Sequence, residues 1–185
     1  MISWFLHFAE EYKRARHTFG FGVHSPFAYD MVRLLRIRRD VGFYADAEIS
    51  EVALAESGRR LRRIAIRFHR LCSFMSQGKV YVASPAPKAV LLGVRLASSR
   101  FDIVRDVSKA GECMVGYFDA NETGVDELSV ILSSGCPVAM VAGLSEVEAR
   151  ETACRAGSTL LLSGRDVSVM VRRPEMHPVV YTVRL

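Results

Sequence analysis

The chain has 185 residues, half of them hydrophobic, and a formal net charge of +5. This length predicts one domain with its own core, and no apolar run approaches the roughly 18–20 residues of a membrane span. The four cysteines, Cys72, Cys113, Cys136 and Cys154, form no CxxC or Cys/His cluster, which argues against a zinc site. They read as small buried hydrophobes in a reducing, cytoplasmic compartment.

The N-terminus opens with an apolar patch that no basic residue precedes and that Glu10 and Glu11 follow. It makes a poor signal peptide and a fair amphipathic helix over Ile2–Arg16, with Ile2, Phe5, Phe8, Ala9 and Tyr12 on one side. Gly20 and Gly22 then make a turn. Ser25 is placed to cap a helix with Pro26 at its first position. That helix is predicted to run to about Arg38, with Phe27, Met31, Leu34 and Leu35 inward. A weaker helix covers 45–56 and ends at Ser57-Gly58. The next, 59–75, places Leu61, Ile64, Ala65, Phe68, Leu71, Cys72 and Met75 at helical spacing. Its other faces carry Arg59, Arg60, Arg62, Arg63, Arg67, His69 and Arg70. They read first as a solvated face, and second as a surface for phosphates or an anionic membrane. The charge is uneven: residues 1–78 carry 13 Lys and Arg against 8 Asp and Glu, whereas 79–185 balance at 12 each.

From Lys79 the pattern alternates. Strands are predicted at 79–83, 101–105, 113–118 and 137–141, and helices at 87–97, 123–133 and 145–156. The end of the chain has no helical period and reads as strands at 158–162, 167–172 and 178–184. The fold class is therefore α/β. An N-terminal helical region, 1–78, packs on an α/β core, 79–185, as one compact unit, and the core ends in an antiparallel β-hairpin. Within it, Val80–Ala83, the break Ser84-Pro85-Ala86-Pro87 and the helix that follows form a strand-turn-helix. In doubly wound sheets that turn commonly seats a nucleotide-like cofactor.

Three stretches carry a resemblance. GFGVHSPFAYDMV (20–32) looks like the HGVHSPFVYDLI-type segment of a branch of class I S-adenosylmethionine-dependent methyltransferases found as small bacterial proteins. VGYFDANETGVDELSVIL (115–132) looks like that family's fourth strand, its acidic end and the following helix. SVMVRRPEMHPVVYTVRL (168–185) is similar to its last two strands. The resemblance implies a reduced Rossmann-like methyltransferase sheet. It also implies methyl transfer from S-adenosylmethionine to a nucleophile by proximity and orientation.

The departures fall where that cofactor would lie. The family's first strand ends in E-x-G-x-x-x-G, whose glycines let the backbone approach the ligand. Here Ala83-Ser84-Pro85-Ala86-Pro87-Lys88 supplies neither acid nor glycine, and two prolines remove two N–H donors. Between Ser98 and Cys113 there is room for one strand, not for the family's strand-helix-strand. Asp102 and Asp106 are candidates for its ribose-binding acid only by default. After the fifth strand, where relatives carry an acidic pair, stands Ala142-Gly143-Leu144.

Asp119 and Asn121, with Ser84, are the candidate cofactor-side residues. The plainer reading is that Asp119 and Asn121 shape the turn into the next helix. His24 and Tyr29 are the candidate catalytic residues, histidine because it titrates near neutral pH. The plainer reading there is a packed loop around the Ser25 cap. His7, His17, His69 and His177 stand alone and receive no role. The aromatic residues Trp4, Phe5, Phe8, Phe19, Phe21, Phe27, Phe43 and Tyr44 read either as core or as a homodimer surface, and the dimer is favoured because a core this short leaves sheet faces to cover. The leading expectation is a degenerate, non-catalytic methyltransferase-like protein with a structural or binding role, an eroded site and no cofactor. The alternatives are an active methyltransferase with a remodelled S-adenosylmethionine site, and a nucleic-acid binder through 59–75. No metal, membrane span or nucleic-acid partner is expected.

Overall fold

The computed structural model describes residues 23, 25–36, 44–75, 77–183 and 185. The expected helix over Ile2–Arg16, His24 and most of the aromatic residues expected to form a dimer surface lie outside them. Helix α1 is Pro26–Leu35, and the Ala28 N–H donates to Ser25 Oγ at 3.3 Å as the cap predicts. It ends short of the expected Arg38 because Arg36 is already extended. Helices α2 (Tyr44–Glu56) and α3 (Arg59–Met75) follow, joined by Ser57 and by Gly58 at φ +82°.

The core then runs β1 (Gly78–Val82), α4 (Lys88–Ala97), β2 (Phe101–Val104), a 3-10 turn (Val107–Glu112), β3 (Val115–Asp119), α5 (Val125–Ser133), β4 (Val138–Ala142) and α6 (Glu146–Arg155). Strands β5 (Leu160–Ser163), β6 (Val167–Val171) and β7 (Val179–Thr182) close it. The single seven-stranded sheet has the order β2-β1-β3-β4-β6-β5-β7. Strands β2, β1, β3 and β4 are parallel, and β6 enters antiparallel between β4 and β5. An antiparallel hairpin is present as β5–β6, but the core does not end in it as expected. The last strand does not extend it. β7 pairs parallel with β5, Leu160 opposite Val179, on the edge that β6 leaves open. Pro174 and Pro178 bracket the connection, where a missing N–H prevents a continuous ladder.

Alternation along the strands sorts the core into two layers. Val80, Val82, Val115, Tyr117, Met140, Leu160 and Val169 face α1 to α4. Tyr81, Phe118, Ala139, Val141, Leu161 and Met170 face α5 and α6. The described part of the helical region thus shares one hydrophobic core with the sheet.

Helix α3 bears out the reading of a solvated arginine face at Arg59 and Arg60, which are exposed, and corrects it further along the helix. Arg67, His69 and Arg70 are buried, as is every residue from Ile64 to Cys72. The cause is that α3 is covered twice. Its Phe68 ring lies 5.4 Å from that of Tyr117 in the sheet, while α1 and α2 pack on the helix as well. Most of these polar groups find partners inside the protein, which offsets part of the cost of burying them. Arg70 donates to the Arg36 carbonyl and to Asp46 Oδ2, both at 2.7 Å. Arg62 donates to Ser50 Oγ at 2.8 Å. Arg63 grips Asp166 with two bonds, 2.6 and 3.1 Å, and Arg67 Nη1 stands 3.9 Å from the same carboxylate. His69 Nδ1 donates to the Gly93 carbonyl at 2.8 Å. A Cβ at Gly93 would lie 3.3 Å from both the Ala65 carbonyl oxygen and His69 Cβ, so glycine sets how closely α3 and α4 approach.

The cysteine expectation holds at three positions of four. Cys72, Cys113 and Cys136 are buried, and Cys154 is exposed on α6. Burial pushes the Cys136 thiol up to about 12, and raises those of Cys72 and Cys113 as well, so these thiols stay protonated and inert. Among the described residues no helix is long and apolar enough to cross a membrane.

Candidate functional site

From β1 the chain crosses to β2 on one side, and from β3 it proceeds to β4 on the other. The carboxyl ends of β1 and β3 therefore flank the crevice where open α/β sheets bind ligands. A cavity of about 360 Å³ lies there. Its wall from the sheet is Pro87, Tyr117, Asp119 and Ala142, and its wall from the helical region is Glu56, Ser57, Arg60, Leu61 and Ile64. Tyr117 and Asp119 share a strand face by the two-residue period of β3.

The first βα turn is occupied by the protein itself. Helix α4 begins after Pro87, which offers no side-chain cap, so its first N–H groups need another acceptor. Glu56, at the end of α2, supplies it. Lys88 N–H donates to Glu56 Oε1 at 2.9 Å and Ala89 N–H to Oε2 at 3.1 Å. A carboxylate at a helix N-terminus also meets the positive end of the helix dipole. The prolines remove two donors, and Glu56 takes the two that follow.

Asp119 and Asn121 come together, as the turn reading expects. Asp119 Oδ1 accepts from Asn121 N–H at 3.0 Å and from Asn121 Nδ2 at 2.8 Å. Thr123 N–H donates to the Asp119 carbonyl at 2.9 Å. Gly143 completes this knot. It sits at φ +86°, and a Cβ there would lie 2.6 Å from Asn121 Nδ2. Gly143→Ala is expected to cost about 1–2 kcal/mol, the ordinary cost of a side chain in the left-handed region, because Asn121 is exposed and can swing aside. Urea denaturation measures the loss. NMR should show the Asn121 side-chain amide signal moving as its bond to Asp119 breaks.

Burial pushes the Tyr117 phenol up, Asp119 and Glu56 add to the rise, and Arg60 opposes it. Tyr117 therefore stays a neutral hydroxyl with a hydrogen to donate. Arg60 is exposed at the mouth. The cavity offers one guanidinium, two carboxylates and a phenol over an apolar floor. Among the described residues no histidine or cysteine lines it, and no group of three or more His, Cys, Asp or Glu could hold a metal ion.

The other sequence candidates sit elsewhere. Ser84 is exposed in the turn after β1 and does not line the cavity. Tyr29 is exposed on α1, its ring 5.6 Å beneath the Arg33 guanidinium. His24 is outside the described residues. Asp102 stands inside β2 in register with Lys79, not at the strand's carboxyl end. Asp106 caps the 3-10 turn, and bonds from Ser108 N–H and Oγ hold its carboxyl below the usual range. Sequence reasoning missed Glu56, Arg60 and Tyr117. Tyr117 could have been found, because it shares a strand face with Asp119. Glu56 had no local signal, since its partners lie 32 and 33 residues away. Compared with known proteins, the chain gives no match to any family model, to any curated protein or to any solved structure.

Proposed function

We propose that this chain is a degenerate relative of class I S-adenosylmethionine-dependent methyltransferases that does not transfer methyl groups and has a structural or binding role. The observation that carries this reading is Glu56. It spends, within the protein, the N–H donors of Lys88 and Ala89, which open the helix after the first βα turn. Three further features support it. A single strand joins α4 to the 3-10 turn and β3, as the shortened segment implies. Neither Asp102 nor Asp106 stands free at the end of β2. The turn carboxylate Asp119 is committed through Oδ1 to Asn121. The expected homodimer through the aromatic N-terminal residues belongs to the same reading, and sedimentation of the full chain tests it.

Titration of S-adenosylmethionine and S-adenosylhomocysteine by calorimetry tests the main claim. No heat of binding is expected up to about 1 mM, the level at which a ligand contributes only about 4 kcal/mol. Micromolar binding would overturn the reading. It would favour the second one, an active methyltransferase with a remodelled site, whose support is the open cavity beside Asp119. Binding of nucleic acid through α3 has less support, because Arg62, Arg63 and Arg70 are bonded within the protein and Arg67 is buried. Arg59 and Arg60 are the arginines of that helix left exposed.

A further inference from the structure

Glu56 stands between two openings. On one side is the 360 Å³ cavity at the end of the sheet. On the other is a groove of about 530 Å³ lined by Glu51, Val52, Ala55, Glu56 and Lys88. Among the described residues Glu56 alone lines both, and it reaches the start of α4 between them. The two openings flank the Glu56 contact, although α2 also packs against α4.

The helix also packs on α3 and α4, with little of its own surface buried. Among the described side chains of α2, only Ile49 and Ala53 are buried. Two polar ties, Asp46 to Arg70 and Ser50 to Arg62, hold it to α3. The first is imperfect, because buried Asp46 Oδ1 has no hydrogen-bond partner. Helix α3, by contrast, is locked in the core from Ile64 to Cys72. Between the two helices lies Gly58, at φ +82° with nothing within 4 Å of where a Cβ would be. Glycine has the backbone freedom that a hinge needs.

We propose that α2 is a lid over the carboxyl end of the sheet, hinged at Ser57-Gly58 and latched by the Glu56 carboxylate on the first turn of α4. Unlatching joins the cavity and the groove into one cleft running from Asp119 past the start of α4. The closed state is the one observed, and the cleft opens as a minor conformation set by the strength of one ionised, two-bond contact. The proposal does not rest on the methyltransferase reading, because its test reads helix motion and uses no cofactor.

Amide hydrogen exchange on the full chain decides it, since local opening exposes only the unit that moves. In Glu56→Ala, exchange should rise about tenfold or more at Lys88 and Ala89 and through α2 together, while Ile66–Cys72 of α3 and β3 keep their protection. Glu56→Gln has the same shape and lacks the charge. It should show a smaller rise at the same positions, and it serves where the alanine variant does not fold. Acceleration of Lys88 and Ala89 alone would make Glu56 a helix cap and overturn the lid. Uniform acceleration of α2, α3 and the sheet would make it a general stabiliser, which also overturns it, as would no change.

Discussion

Replacing Asp166 by Ala is expected to lower the stability of the fold by about 3–5 kcal/mol, whereas Arg67→Met leaves it unchanged or raises it by about 1 kcal/mol. The asymmetry follows from who is paired with whom. Asp166 is buried at the tip of the β5–β6 hairpin, and its carboxylate faces two guanidinium groups. Arg63 is bonded to it twice and keeps part of its side chain in water. Arg67 is not. Its nearest nitrogen is 3.9 Å away, and its buried Nε and Nη1 have no hydrogen-bond partner. Burial lowers the Arg67 pKa to about 10, against the pull of Asp166 and with help from Arg63 and Arg70. Removing Asp166 leaves that buried charge uncompensated. Removing Arg67 leaves the Asp166–Arg63 fork intact and replaces an unsatisfied cation with apolar volume. Urea denaturation with an unchanged m-value measures both. A loss below about 1 kcal/mol for Asp166→Ala, or an equal loss for the two variants, would contradict the assignment.

Phe118→Ala should cost about 3–5 kcal/mol, and Gly116→Ala about 2–3 kcal/mol. The double variant should lose clearly less than their sum. Gly116 and Phe118 share the face of β3 that meets α5 and α6. The Phe118 ring is fully buried there and stacks at 5.0 Å on Tyr81. It also lies over Gly116, where an added Cβ would be 2.6 Å from the ring edge. An alanine methyl therefore displaces a ring that has nowhere to go. With the ring truncated, the same methyl enters the space it vacated. The expected coupling is about 1–2 kcal/mol, within the range for touching residues. Additivity to within about 0.5 kcal/mol would show that the ring is free to move aside.

The elements were legible because their signals are local. The Ser25-Pro26 start, the Ser57-Gly58 stop and the β/α alternation after Lys79 each depend on residues a few positions apart. The single strand between Ser98 and Cys113 followed from chain length alone. The site was legible only at Asp119 and Asn121, whose turn is a contact of two residues along the chain. Arg67, His69 and Arg70 of α3 were misread as solvated for a physical reason. Helical period tells which residues share a face, but not how many faces a neighbour covers.

By itself the sequence determined the order and kind of the described α-helices and strands, the lack of glycine in the turn after β1, and the room for a single strand between α4 and β3. Each is a matter of propensity, φ freedom or length. Tertiary structure alone decided that α3 is covered on both sides, that β7 pairs with β5, and that Glu56 fills the first βα turn. These depend on residues tens of positions apart being brought into contact. That outcome is set by the packing of all layers at once, and no window of sequence encodes it.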